Sequence, residues 1–235
     1  MNDLAASFED AWERFQARDS LRLVDDTLEW EWTRGRAQFL TFQVRIEDAG
    51  AREHIARIIE QIAGIPGIEP YPDWYWHATV KGAGFQVIKR ERDDDVLRRD
   101  VPRMTNAARS LLTQEPAFEA RLGLPNGFAE VAFLELWDNG QMGTLNQRLA
   151  EGVPGIFRYP IDGPGDGPGF LPHVSIARFR SDEGLDELKQ AIASLRGEGP
   201  GPMFPVRRIE FVKAWLSEAM PEFDALATYA LQSPR

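Results

Sequence analysis

His77-Ala78-Thr79-Val80 and His173-Val174-Ser175-Ile176 state one phrase twice: a histidine, a hydroxyl residue two positions on, then an apolar residue. The chain has 235 residues and three histidines, so two of the three opening the same phrase is a strong signal. In a strand, residues i and i+2 share a face, so His77 projects with Thr79 and His173 with Ser175. Ala78, Val80, Val174 and Ile176 then face the other side, where a covering helix buries them. The alternation makes the four polar groups a site and not core filler.

What precedes each phrase also recurs. A strand is expected at Phe39 to Ile46, then Glu47-Asp48-Ala49-Gly50 opens a helix at about Ala51 to Ala63 with Ile55, Ile58, Ile59 and Ile62 as its buried stripe. Gly64-Ile65-Pro66-Gly67 ends it, and a strand from Trp74 to Val80 carries the first histidine. The second copy runs from a strand at Glu130 to Trp137, through Asp138-Asn139-Gly140, into a helix at Met142 to Leu149, and then to a strand at Leu171 to Phe179. Between the copies lie a helix at Met104 to Thr113 and a strand at Phe118 to Leu124, closed by a turn at Pro125-Asn126-Gly127. After them come a helix at Leu185 to Leu195 and strands near Val206 to Leu216 and Ala225 to Leu231. This order predicts an α+β fold with mostly antiparallel sheets. If the two copies face each other about a pseudo-two-fold axis, both imidazoles converge on one cleft.

Residues 1–36 read as a helical extension ahead of a single unit over 37–235. Leu4, Phe8, Ala11, Trp12 and Phe15 have helical spacing, Leu28 to Trp32 alternates like a half-buried strand, and Thr33-Arg34-Gly35-Arg36 reads as a turn.

The net charge of −10 disfavours a partner such as a long duplex nucleic acid, whose backbone calls for a basic face. A small nucleotide or an oligonucleotide terminus in a locally basic pocket remains compatible. Zero cysteines exclude disulfides and thiolate chemistry, and no run of apolar residues is long enough for a membrane span. The cytoplasm is the expected compartment, and no protein partner is evident.

Two imidazoles suit general acid–base catalysis near neutral pH, and the two hydroxyls can donate to phosphoryl oxygens during in-line displacement. This chemistry requires no metal or other cofactor. The remaining acidic and histidine residues make poor metal ligands: His54 sits in the Ile-rich helix, and Asp93-Asp94-Asp95 reads as a solvated face or helix start.

These residues resemble the two-histidine (2H) phosphoesterases, which include bacterial 2'-5' RNA ligase-like proteins and 2',3'-cyclic nucleotide phosphodiesterases. The pairing of His77-Ala78-Thr79-Val80 with His173-Val174-Ser175-Ile176-Ala177-Arg178 carries the likeness, and the element order from Phe39 to Leu231 extends it. The resemblance implies a bilobal fold with both phrases in a central cleft. It also implies metal-independent chemistry on 2',3'-cyclic phosphates or 2',5'-linked phosphodiesters. His173 would activate water and His77 would protonate the departing ribose oxygen, or the roles are exchanged. Ligation, its reversal, or nucleotide sensing without turnover are the alternatives. The N-terminal segment has no counterpart in the family pattern, and Ser175 stands where threonine is equally usual.

Three further residues are candidates. Lys81 shares strand parity with His77 and would touch phosphate if the strand stays regular, although Gly82 and Gly84 can bend it. Arg178 is expected in a supporting salt bridge or a ligand contact. Phe85 is a candidate for stacking on a base, ahead of Trp74, Tyr75, Trp76, Tyr159 and Phe170, which read mainly as core. The loop from Pro154 to Gly169 reads either as an ordinary connection or as a flap over the site.

Overall fold

The computed structural model describes residues 4–159, 166, 169–216 and 220–233, with backbone alone at 26–28. Its strands are β1 (Gln38–Arg45), β2 (Ile68–Pro70), β3 (His77–Val87), β4 (Asp95–Leu97), β5 (Phe118–Gly127), β6 (Val131–Trp137), β7 (His173–Phe179), β8 (Met203–Val206), β9 (Arg208–Trp215) and β10 (Glu222–Ala230). They run in the order β10-β9-β1-β3-β7-β6-β5-β8, with β2 added beside β7 and β4 beside β3. Every pairing is antiparallel except β3 with β4. The α+β class is as expected. Its two four-stranded halves, β10-β9-β1-β3 and β7-β6-β5-β8, place the two histidine strands side by side at the centre.

The helices between the strands are α3 (Ala49–Ile62), α4 (Val101–Leu112), α5 (Gln141–Gly152) and α6 (Leu185–Arg196). In α3, Asp48 accepts a hydrogen bond from the Ala51 amide at 2.9 Å and caps the first turn, while Ala51, Ile55, Ile58 and Ile62 are buried. Full burial of each isoleucine contributes about 1.5–3 kcal/mol. The equivalent start in the second half uses Asp138, whose carboxylate accepts from the Gly140 and Met142 amides, at 3.0 and 2.5 Å. On β1, Leu40, Phe42 and Val44 face one side, and Phe42 stacks on Phe211 there. Phe39, Thr41, Gln43 and Arg45 face the other, which is the side of His77 and Thr79.

Three expectations need correction. Residues 28–32 belong to a helix, α2 (Asp26–Thr33), and not to a strand. This segment crosses the face of the sheet, where a lone strand would leave its backbone unpaired. A helix pairs it internally, as in Glu29 N–H to Asp25 O and Arg34 N–H to Trp30 O. The triplet Pro125-Asn126-Gly127 lies inside β5, past a bulge, and the chain reverses after it. There the Asn126 amide donates to Phe8 O and to Glu135, and a Cβ at Gly127 would collide with the Phe15 ring. Both anchor α1 (Leu4–Gln16), the expected first helix. The first histidine opens β3, since Asp73–Tyr75 forms a short 3-10 turn.

Candidate active site

β3 and β7 are joined by one antiparallel pair, Ala78 with Val174. Continuing this register by one residue each way sets His77 beside Ser175 and Thr79 beside His173. The four polar side chains then form a quartet with like residues on the diagonals.

Away from that pair the strands separate, and each gap is filled reciprocally. β2 precedes the first histidine strand yet pairs with the second, with Glu69 opposite Arg178. The segment before the second histidine strand bonds to the first, through Phe157 N–H to Ala83 O at 2.9 Å. This exchange is the pseudo-two-fold relation in backbone terms.

The same relation holds at the imidazoles. His77 Nδ1 donates to Tyr75 O at 2.6 Å and His173 Nδ1 to Leu171 O at 2.8 Å, each two residues upstream. A carbonyl can only accept, so the neutral rings carry hydrogen on Nδ1 and keep the Nε2 lone pair free. Two rings flank each imidazole: Tyr75 and Phe223 at 5.0 and 4.9 Å from His77, Phe128 and Phe133 at 5.1 and 5.2 Å from His173. Burial above all, with the nearby His173 and Arg45 acting the same way against the raising effect of the Tyr75 carbonyl, brings the His77 pKa down to about 4. Burial also lowers the His173 pKa, opposed by the Leu171 carbonyl. Both are therefore neutral at pH 7 in the free protein.

Lys81 does not join the quartet. A bulge sets Lys81 opposite Phe42 and Thr79 opposite Gln43, which puts Lys81 and Thr79 on opposite faces. The ammonium is buried and its three donors are used, on Gly82 O, Phe157 O and Asp166 at 2.8, 2.7 and 2.9 Å. Arg178 forms the supporting salt bridge, with Nε and Nη2 on the two oxygens of Glu69 at 2.8 and 3.0 Å. A bulge in β7 at Ile176 turns it to the face that carries Ser175. Phe85 has no face to offer a base: it is 1% exposed, with the Arg36 guanidinium 3.6 Å over its ring and Trp32 and Phe39 against it.

The acidic triplet is only partly solvated. Asp94 and Asp95 both bind Arg36, and Asp95 is buried, accepting the Glu91 and Arg92 amides. Among the described residues no group of three or more His, Asp or Glu is placed to hold a metal. Of the loop expected as a flap, residues 160–165, 167 and 168 lie outside those described.

Several residues of this site were not legible in sequence. Gln43 lies on the quartet's face beside Thr79, fully buried, with an Oε1 that has no hydrogen-bond partner. Arg45 is the cross-strand neighbour of His77, and Glu135 that of His173. Only strand pairing brings these residues to the histidines, and a single sequence does not display that register.

The model of the 2'-5' RNA ligase superfamily matches residues 51–214. No curated protein matches the chain. Among solved structures, TT0787 of Thermus thermophilus is similar at 19% identity and TM-score 0.58, over 84% of this chain and all of that one. LigT of E. coli in complex with 3'-AMP is similar at 16% identity and TM-score 0.58, over 83% of this chain and 99% of that one. A conserved protein of unknown function from Agrobacterium tumefaciens, ATU0111, is similar at 15% identity and TM-score 0.58, over 82% and 85% of the two chains. These likenesses show a shared fold. The family match spans both His-x-(Ser/Thr) phrases and the strands that bring them together, and by it this chain belongs to the 2'-5' RNA ligase superfamily of two-histidine phosphoesterases.

Proposed function

We propose that the chain hydrolyses a 2',3'-cyclic phosphate, on a nucleotide or an RNA terminus, to a 2'-phosphate. The observation that carries this reading is the paired imidazoles, each fixed through Nδ1 with Nε2 free. One Nε2 takes a proton from water as it attacks phosphorus, and the other donates a proton to the departing 3'-oxygen. Thr79 and Ser175 donate to the non-bridging oxygens. The incoming phosphate anion raises both imidazole pKa values, so that one becomes the acid. Arg45 beside His77 favours the neutral base there and the acid at His173, the reverse of the first assignment drawn from the resemblance. The scheme uses only the chain's own groups, and the absence of cysteine fits a cytoplasmic setting.

The test is incubation with nucleoside 2',3'-cyclic monophosphates in EDTA. Turnover to 2'-phosphates that is lost in His77→Ala and His173→Ala supports the reading; no turnover with any base, or undiminished turnover in either variant, overturns it.

The description of the matched family favours a second reading, 2'-5' ligation or its reversal. There a terminal 5'-hydroxyl replaces water as nucleophile and the same proton transfers apply. Joining of RNA halves that carry a 2',3'-cyclic phosphate and a 5'-hydroxyl distinguishes the two.

A further inference from the structure

The N-terminal segment lies against the face of the sheet that carries the quartet. Trp32 packs on Phe39 and Phe85 at 5.1 and 5.3 Å, and both belong to that face. Val24 N–H donates to Phe179 O at the end of β7, and Arg22 N–H to Ala129 O. Between this segment and the body is a cavity of about 730 Å³, walled on one side by Arg22, Trp32 and Arg34 and on the other by Tyr71, Tyr75 and Arg178.

Tyr75 lies between the cavity and His77. Its ring stacks on Tyr71 at 4.2 Å and meets His77 edge-on at 5.0 Å. The volume lies within the usual range for small-molecule sites, about 300–1,000 Å³, and suits one nucleotide. Glu29 and Glu31 also line the cavity, and of its three guanidinium groups Arg22 is paired with Glu31 and Glu130 and Arg178 with Glu69, so Arg34 is the one left to meet an anion. Trp32 is held by its neighbours yet remains 45% exposed, which leaves ring surface for a base.

Relatives give this wall separate interest. The family match begins at residue 51, and 84% of this chain suffices to cover all of TT0787. The remaining 16% is about the size of residues 1–36.

We propose that residues 22–34 are a specificity wall: they form the base-binding side of the two-histidine site and restrict it to mononucleotide-sized cyclic phosphates. A base stacks on Trp32, and a polynucleotide continuing past its terminal residue meets the segment. This rests on the cyclic-phosphate reading above.

The test compares wild type, Trp32→Ala and Trp32→Phe on adenosine 2',3'-cyclic monophosphate and on an RNA of about ten nucleotides ending in a cyclic phosphate. Wild type is expected to favour the mononucleotide in kcat/KM. In Trp32→Ala the KM for the mononucleotide rises about tenfold, the value of one stacked base, while kcat holds. The preference over RNA collapses, and Trp32→Phe restores most of it. Unchanged KM in Trp32→Ala, or a wild-type preference for RNA, overturns the proposal. If wild type turns over neither substrate, the catalytic reading fails first. Calorimetric binding of 2'-AMP to wild type and Trp32→Ala then decides the wall alone, equal affinities overturning it and weaker binding by the variant upholding it.

Discussion

The two histidine strands match atom for atom at the imidazole and diverge within five residues of it. Both rings donate Nδ1 to the carbonyl two positions upstream, and both sit between two edge-on aromatic rings. Downstream, β3 bulges and sends Lys81 into a buried contact with Asp166, whereas β7 bulges and keeps Arg178 on the quartet's face, gripped by Glu69. Across the strands, His77 faces Arg45 and His173 faces Glu135. The duplicated unit thus keeps the anchoring of its two imidazoles and lets the surroundings differ, burying a cation four residues past one histidine and holding a cation five residues past the other on the quartet's face.

The largest effects should come from the matched atoms. Replacing either histidine by alanine is expected to lower kcat/KM by about 10²- to 10⁴-fold. In the proposed mechanism the two act as a unit, so the double variant should lose far less than the product of the two single losses. Steady-state rates on a cyclic nucleotide check this, and multiplicative losses would break the equivalence.

Lys81 and Arg178 separate fold from function. Lys81→Met leaves Asp166 without its buried cation, at a cost of about 3 kcal/mol, and should lower the melting temperature while kcat changes little. Arg178→Met should also weaken nucleotide binding, because this side chain lines the cavity. Thermal melts paired with KM values distinguish them.

The pH profile tests the asymmetry. A base whose pKa is depressed stays neutral as pH falls below the ordinary histidine value, so activity persists there and is lost only near the lowered pKa. The acid limb of kcat/KM, which reports the free enzyme, should therefore lie well below pH 6.5. Arg45→Met removes a nearby positive charge, raises the His77 pKa, and should move that limb upward; a limb that stays in place would show that Arg45 does not set the assignment.

The smallest effect is expected at Gln43. A buried carboxamide oxygen without a partner costs stability, so Gln43→Met should leave the melting temperature unchanged or raise it by the equivalent of about 1 kcal/mol. A fall would reveal a structural hydrogen bond.

The quartet was legible because strand parity and the phrase spacing are local properties of the chain. The helix stripe of α3 was legible for the same reason: Ile55, Ile58 and Ile62 are buried as their spacing implied, and Ile59 is half-buried at its edge. Lys81 misled because a bulge reverses parity without leaving a mark beyond nearby glycines. Phe85 misled because Arg36 and Trp32, some fifty residues upstream, cover it. Residues 28–32 alternate over only five positions, too few to separate a strand from a short helix. The cavity under the N-terminal segment depends wholly on how that segment docks, and no local pattern encodes docking.

The reciprocal lacing around the histidine strands also bears on how the molecule reaches its native state. Glu69 meets Arg178 across 109 positions, and Lys81 meets Phe157 across 76. Loops of this length close late, after local helices and hairpins have formed. The candidate site is then among the last regions to assemble, and substitutions at the laces should mainly accelerate unfolding while leaving the folding rate nearly unchanged.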